Sequence, residues 1–415
     1  MNRNKALYLL FLFLLGSLCG FAQDNSKSKI KLDKEQKDTE VNFLFNYYAQ
    51  DGDNSPVTGG IGSEKLNNYS SSILVHLLPD SLTQLTLELG IDAYTSASTD
   101  KIDYFKTHQS SASGKDGRAH INADYTRKLA HSENKYGFHF GFSIESDIYS
   151  LGIGGKYMIN SKDLNRSLRI STSYFRDNWH LIYPHELRSK ESWLSTDIRN
   201  TLSIELSLTQ VLNQKSTIGI TVEPVFQFGL LSTPFHRVFF NDAAGKLFDD
   251  LEFLSHTEQL PNRRFKLPIS LRYHYYLNDF FRFKSYYRIY SDTWGIQAHT
   301  ASIETPFFAS QTFILAPFFR YHTQSAARYF APFATVNALN PPRYHTADYD
   351  LSKLHSYKTG IGISYAPIFA IRKFKSPFKS SKTAQLKSIN LRSAYYKRSD
   401  GLKAWLISLD LGFIF

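Results

Sequence analysis

The last eleven residues of the chain alternate between large apolar side chains and mostly small or polar ones. The apolar positions are Trp405, Ile407, Leu409, Leu411, Phe413 and Phe415, and Ser408, Asp410 and Gly412 lie between them. A period of two residues belongs to a β-strand, whose successive side chains point to opposite faces. A tilted strand of about 9–11 residues crosses a bilayer. We therefore expect a membrane-crossing strand here, with one face toward lipid.

The same alternation recurs in fifteen earlier segments, and the connections between them alternate in length. Short turns fall at 79–81, 131–134, 212–216, 278–279 and 309–310, and long loops fall at 96–117, 176–197, 231–262 and 325–354. Bacterial outer-membrane barrels have an even number of strands, short periplasmic turns and longer outer loops. The sequence therefore predicts an all-β fold, a single-chain antiparallel transmembrane β-barrel of about 16 strands (14–16).

Three regions are expected along the chain. Residues 1–22 combine a basic start with the apolar run Ala6–Leu15, which is typical of a cleaved signal peptide. Residues 23–39 are highly charged and predict a periplasmic lead-in, and residues 40–415 form the barrel. The strand Trp405–Phe415 resembles the terminal insertion signal of bacterial outer-membrane barrels. The expected location is therefore the outer membrane, and the expected partners are its lipid, lipopolysaccharide and the barrel-assembly machinery.

The composition excludes several classes of protein. Cys19 is the only cysteine and lies in the signal, so the mature chain has no disulfide framework, thiolate metal site or cysteine nucleophile. The formal charge of +11 would fall to +9 when Arg3 and Lys5 leave with the signal. A basic exported protein attracts anionic lipopolysaccharide or anionic solutes. Beyond this charge nothing indicates nucleic-acid binding, and no cofactor is expected.

Charged and proline residues within the strands constrain which way each strand faces. An Arg or Lys on the lipid face at mid-bilayer costs about 2–4 kcal/mol. Ten residues are therefore expected to face the lumen: Glu88, Arg118, Glu205, Lys266, Arg272, Arg282, Arg288, Arg320, Arg392 and Asp410. Proline cannot donate to a strand ladder, so each of Pro224, Pro268, Pro317 and Pro367 is expected at a bulge or a strand end.

The first outer loop concentrates oxygen ligands at Asp51, Asp53, Asn54 and Glu64. Such residues could bind calcium, but the helix–loop–helix calcium pattern fails, because a proline replaces its glycine and a glycine replaces its bidentate acid. Two interpretations remain open, an ion site and an ordered loop folded into the lumen.

Three histidines, His299, His322 and His345, recur at equal spacing, and each is followed by threonine. With Asp348 they could bind a metal such as zinc. The alternative is that these histidines anchor loops through hydrogen bonds.

The segment Ile371–Lys387 carries six basic residues and no acid. By the strand count it lies in the periplasm. It could dock an acidic periplasmic partner, or it could be a solvated loop.

Several motifs of the chain resemble a family of uncharacterised Bacteroidota-type outer-membrane proteins that is catalogued as a domain of unknown function. The motifs are the first outer loop from Gln50 to Glu64, Asp92–Ser98, Thr293–Gly295, Tyr321–Ala327 and Asp348–Ser352. The resemblance covers the mature chain and implies one barrel domain. It implies no activity, ligand or site residue.

The expected function is porin-like passage of small solutes through a charged lumen, narrowed by the first, fifth and seventh outer loops. One alternative is a plugged, non-porin barrel that acts as a scaffold for periplasmic or surface partners. A second is an outer-membrane hydrolase that pairs His322 with Ser325, or Asp177 with His180. No local signature favours the hydrolase, so we expect that the protein is not an enzyme.

Overall fold

The computed structural model describes residues 39–95, 98–99, 115–184, 187, 195–241, 255–375 and 383–415. The predicted signal and the lead-in up to residue 38 lie outside these residues. Among the described residues no helix is long and apolar enough to cross a membrane. All of them belong to one compact unit, Asp38–Phe415.

Sixteen antiparallel strands form the wall of the molecule and confirm the predicted fold class and strand number. They are β1 Glu40–Asp51, β2 Leu66–Leu77, β3 Thr83–Thr95, β4 Lys115–Lys128, β5 Lys135–Ile144, β6 Ile148–Asn160, β7 Arg166–His180, β8 Thr196–Asn213, β9 Ser216–Val222 with Val225–Gly229, β10 Arg263–Tyr276, β11 Arg282–Asp292, β12 Gln297–Glu304 with Phe307–Phe308, β13 Phe313–Gln324, β14 Leu354–Tyr365, β15 Thr383–Arg398 and β16 Lys403–Ile414. Each strand pairs with the next along the chain.

The last strand pairs with the first and closes the barrel. The register runs from Glu40 opposite Ile414 to Asp51 opposite Lys403. On the lumen side of this seam, Asp410 accepts hydrogen bonds from the amides of Asn42 at 2.9 Å and Asn390 at 3.1 Å. A closed barrel leaves no free sheet edge, which is the condition for a β-structure to cross a bilayer.

The alternation of the sequence corresponds to the two faces of this wall. Large apolar side chains such as Phe138, Ile153, Leu271, Ile289 and Trp405 are exposed on the outside. Their neighbours along the strands point inward and hydrogen-bond one another across the lumen wall. The fold therefore has an apolar belt for lipid and a polar interior, as outer-membrane-type barrels have.

The four prolines expected near strands occupy two kinds of position. Pro224 lies in the break of β9, and Pro367 follows the end of β14, as expected. Pro268 and Pro317 lie inside continuous strands, which corrects the expectation for these two. Pro268 accepts from the amide of Glu223 in the break of β9, and Pro317 accepts from Thr305 in the break of β12. Pro268 and Pro317 have no backbone N–H to donate, and each therefore lies opposite a gap in the hydrogen-bond ladder of the neighbouring strand.

Two predicted connections differ from the structure. The strands β7 and β8 continue to His180 and from Thr196, so the loop expected at 176–197 is shorter, at 181–195. Within the basic segment Ile371–Lys387, residues Arg372–Lys375 form a strand that pairs with the beginning of β15. Much of this segment therefore extends the wall as a hairpin, and residues 376–382 lie outside the described part of the chain. The loop predicted at 96–117 is described only at 98–99 and from 115 onward.

Three outer loops pack on one another and form what we call the cap: loop 1 (52–65), loop 5 (230–262) and loop 7 (325–353). In loop 5, Arg237–Asn241 pairs antiparallel with Ser255–Thr257 and in parallel with Val336–Asn337 of loop 7. A small apolar core of Val238, Phe240, Val336 and Ala347 lies between loops 5 and 7. The cap is thus a folded element with its own buried side chains.

Loop 1 joins the cap through a 3-10 turn at Pro56–Thr58 and the two glycines that follow it. The guanidinium of Arg237 donates to the carbonyl of Val57 at 2.8 Å. Gly59 has φ +77°, and a Cβ there would lie 2.4 Å from the ring of Phe239. Only glycine permits both the left-handed backbone and this close approach. The glycine at position 59 therefore allows loop 1 to pack against loop 5.

Candidate functional site: a cationic cavity in the barrel lumen

A cavity of about 590 Å³ lies inside the barrel beneath loop 7. Lumen-facing residues of β10, β11, β13, β14 and β15 form its wall, and Asp350 and Leu351 of loop 7 contribute to its lining. Tyr48 from β1, Val225 from β9, Ala298 from β12 and Leu406 from β16 also contribute to it. Because strand side chains alternate, every second residue of each strand reaches this space.

Four cations of this cavity have no ion pair with an acid among the described residues. They are Lys266 on β10, Arg288 on β11, Arg320 on β13 and Lys358 on β14. Arg320 and Lys358 stand directly opposite one another in the strand register. The buried Nε of Arg288 has no hydrogen-bond partner among these residues. Like charges placed directly opposite destabilise a sheet, so this wall favours an anion or water between the cations.

The other charges near the cavity are already neutralised. Arg264 donates to Asp292 at 2.9 Å and stacks over the ring of Trp294. Asp350, an acid of the lining, is paired with Arg398 at the end of β15. The net charge presented to the cavity is therefore strongly positive.

The opposite side of the lumen, from β3 to β8, carries a network of paired charges. Asp124 is bound by His139 at 3.0 Å and Lys156 at 2.9 Å. Asp177 accepts from Arg199 at 2.8 Å and from the Ser150 hydroxyl at 2.6 Å. Paired acids and bases on this side contrast with unpaired cations on the other. The lumen is therefore electrically asymmetric.

The residues expected in the lumen fall into two groups in the structure. Lys266, Arg288 and Arg320 line the cavity. The other seven take part in contacts along the inner wall or at its ends: Glu88 with Asn122, Arg118 with Glu145, Glu205 with Arg169, Arg272 beside Gly219, Arg282 over the ring of Phe308, Arg392 with Glu304, and Asp410 with Asn42. Lys358 was not among the expected lumen residues, although the same alternation would have found it.

The acids of loop 1 separate rather than converge. Asp51 and Asp53 are exposed. The Asn54 amide donates to the carbonyl of Asp400 at 2.9 Å, and Glu64 lies in a short strand that receives a hydrogen bond from Gln50 at 3.2 Å. Burial and the neighbouring Asp350 carboxylate raise the pKa of Glu64 to about 7. These contacts order the loop, and among the described residues Asp51, Asp53 and Glu64 do not form a three-residue group of potential metal ligands.

The three equally spaced histidines are not brought together, so the metal site suggested for them is wrong. His299 bonds Tyr287 at 2.8 Å on the outer face. His322 points into the lumen, where it bonds Thr300 at 2.9 Å and Gln324 at 3.2 Å. His345 is buried in the cap against Phe240. In a strand, residues of opposite phase lie on opposite faces, and His299 is directly opposite Thr323, the neighbour of His322.

The two residue pairs considered for hydrolysis make other contacts. Ser325 donates to the carbonyl of Gly295 at 3.2 Å, while His322 is held by Thr300 and Gln324. Asp177 is bound by Arg199, and the ring of His180 lies edge-on to Tyr149. Among the described residues, neither pair forms the nucleophile–base hydrogen bond that hydrolysis needs.

A closed barrel with an apolar exterior and a charged interior defines a transmembrane β-barrel protein. The chain belongs to the family described as "Protein of unknown function (DUF3570)", whose model matches residues 5–407. This match confirms membership of an uncharacterised family, and the bacterial lineage stays a prediction. No curated protein matches the chain in sequence.

Solved structures similar to the chain are bacterial barrels of low identity. A BenF-like porin from Pseudomonas fluorescens Pf-5 is 8% identical, with a TM-score of 0.42 over 92% of this chain and 100% of the porin. OccK9 (OpdG) from Pseudomonas aeruginosa is 10% identical, with a TM-score of 0.36 over 92% and 99%. The siderophore receptor PirA from Acinetobacter baumannii is 10% identical, with a TM-score of 0.42 over 86% of this chain and 53% of the receptor. The chain thus spans about half of that receptor, and the barrel assignment rests on this chain's own strand register.

Proposed function

We propose that the protein is an outer-membrane channel that admits small anionic solutes to its lumen. The observation that carries this proposal is the cavity wall of Lys266, Arg288, Arg320 and Lys358, in which four cations lack an acidic partner among the described residues. Fixed charges of one sign between low-dielectric walls raise the local concentration of the opposite ion. The apolar outer belt supports insertion in the outer membrane.

The charged wall also sets the substrate class. Lysine and arginine bind carboxylates and phosphates, and an arginine with free donors can hold such a group through two parallel hydrogen bonds. A cavity of about 590 Å³ accommodates a solute of sugar-acid size with part of its hydration shell. Solutes of this size and charge are therefore the proposed cargo.

Liposome swelling with three solutes of nearly equal size tests this proposal. Gluconate, glucose and glucosamine carry negative, zero and positive charge on a similar skeleton. We expect swelling rates in that order for the folded protein, and loss of the order in an R288Q, R320Q and K358Q variant. Equal rates for all three solutes in the wild-type protein would overturn anion preference.

A second candidate, a plugged scaffold, is favoured by the cap. Loops 1, 5 and 7 form a folded element with a buried core, and the opposite lumen wall is closed by ion pairs. A barrel that shows heat-modifiable folding yet no swelling with any of the three solutes would support this candidate. The exposed basic hairpin at Arg372–Lys375 is then the proposed surface for an acidic periplasmic partner. The third candidate, an outer-membrane hydrolase, stays a prediction without a supporting contact.

A further inference from the structure

A histidine and two acids converge at the junction of loops 5 and 7 in the cap. The potential ligand atoms of His236, Glu258 and Asp348 all lie within 4.8 Å of one another. The Nδ1 of His236 is 3.7 Å from Oε2 of Glu258, and the Glu258 side chain is only 2% exposed. In a tetrahedral zinc site with bonds of about 2.1 Å, ligand atoms are roughly 3.4 Å apart. Small side-chain rotations would therefore bring the three groups to metal-binding distance.

Two features of this cluster point to a missing ligand. The buried Nδ1 of His236 has no hydrogen-bond partner among the described residues, although it faces the cluster. Buried polar atoms in folded proteins nearly always have a partner. Glu258 and Asp348 also place two carboxylates in a mostly apolar cap, where uncompensated charge is costly.

The charges of the cluster balance with a divalent cation. Without one, a protonated His236 offsets only one of the two carboxylates, and the nearby Asp350 is already committed to Arg398. A neutral histidine, two carboxylates and one divalent ion would sum to zero charge.

The surrounding hydrogen bonds fix the orientation of the two acids. Glu258 accepts from the backbone amide of Thr233 at 2.7 Å and from the hydroxyl of Thr346 at 2.5 Å. Asp348 accepts from the amide of Asp350 at 2.8 Å. Partners of this kind orient metal ligands and are expected around a real site.

We propose that His236, Glu258 and Asp348 bind one divalent transition-metal ion, zinc by ligand type, and that the metal clasps loop 5 to loop 7. One nitrogen and two carboxylate oxygens suit zinc better than calcium or magnesium, which prefer oxygen alone. The ligands come from loops 5 and 7, which are distant in sequence, and loop 7 contributes to the lining of the lumenal cavity. A metal here therefore links loop 5 to loop 7 within the cap, independently of which solute the lumen takes.

The test uses the refolded full-length mature barrel in detergent, prepared without a histidine tag and dialysed against EDTA. Zinc chloride is added, and the bound metal is measured by mass spectrometry after gel filtration. We expect one zinc ion per chain, and at least tenfold weaker binding for H236A and for E258Q. The matched control is H299A, which removes an outer-face histidine bonded to Tyr287 and should leave binding unchanged.

Cobalt provides a measurement on the wild-type protein that does not depend on whether a variant folds. Cobalt(II) in a tetrahedral nitrogen–oxygen site gives visible absorption bands that zinc displaces, and the same addition should protect loops 5 and 7 from trypsin. Absence of these bands, or equal zinc stoichiometry in the wild type, H236A and E258Q, would overturn the proposal. Loss of binding in H299A to the same extent would also overturn it, since surface histidines would then account for the metal.

Discussion

Removing two of the unpaired cations should sharply reduce the anion preference of the lumen. The perturbation is the double variant R320Q and K358Q, which neutralises the pair that stands directly opposite in β13 and β14. Glutamine keeps much of the side-chain length and leaves the apolar outer face unchanged. The variant therefore alters the charge of the cavity with little change in its shape.

The size of the cavity sets the magnitude of the effect. Treated as a sphere, a cavity of 590 Å³ has a radius of about 5 Å, and we take this radius as the distance from a centred ion to the lining charges. At this distance one charge contributes about 0.8 kcal/mol in water, or about 0.5 kcal/mol at 0.1 M salt. Removing one fixed cation weakens the attraction of an anion in the cavity by this amount, and it lowers the repulsion of a permeating cation by the same amount. The double variant should therefore lower the anion-to-cation permeability ratio roughly 30-fold at 0.1 M salt.

The assay is the zero-current potential across a planar bilayer under a potassium chloride gradient, for wild type and variant. The effect should shrink to roughly threefold near 1 M salt, where the Debye length is about 3 Å. The control is K215Q, which removes one positive charge in the short turn between β8 and β9, away from the cavity. An unchanged permeability ratio in the folded double variant, or an equal shift in the control, would show that Arg320 and Lys358 do not set the anion preference.

Three further predictions concern the cap and the barrel seam. The variant G59A should open the cap and speed cleavage of loop 5 by trypsin, because its Cβ would lie 2.4 Å from the ring of Phe239. The control is G401A, where φ is +102° and no atom lies within 4 Å of the added Cβ, so that this variant carries only a backbone strain of about 1 kcal/mol. The pKa of Glu64 is raised to about 7, so its contribution to cap stability is complete below pH 4.5 and is lost as pH rises through 7. The variant E64Q should remove this pH dependence, worth about 1–2 kcal/mol after solvent screening, and cleavage that still varies with pH as in wild type would count against it. The variant D410A leaves two lumenal asparagines without their acceptor, so it should lower the free energy of unfolding by about 1–3 kcal/mol. The measurement is a urea titration followed by heat-modifiable gel migration, and an unchanged free energy would mean that the seam does not depend on these two hydrogen bonds.

The wall of the barrel was predictable because its constraint is local and repetitive. In β16, alternation alone placed Trp405 outside and Asp410 inside, and the pairing of β1 with β16 confirms the closure that this strand implied. The even strand number and the alternation of loop lengths were independent checks of the same fold. Position within a strand therefore decides the face of a residue.

The cap and its cluster were not predictable, because they depend on contacts between loops without a period. Val238 and Val336 share a small core although about a hundred residues separate them. His236 and Glu258 meet Asp348 only after loops 5 and 7 pair, whereas the equal spacing of His299, His322 and His345 had no structural consequence. One available signal was the apolar run Val238–Phe240 within loop 5, which indicates a folded rather than a solvated loop.

Single-channel recording of the refolded wild-type protein tests directly whether the barrel is an anion-selective channel. We expect discrete, stable conductance steps whose zero-current potential has the sign of an anion-selective pore, because the cavity wall carries four cations without acidic partners among the described residues, Lys266, Arg288, Arg320 and Lys358. Steps with cation selectivity, or a folded protein that inserts without conducting, would contradict it.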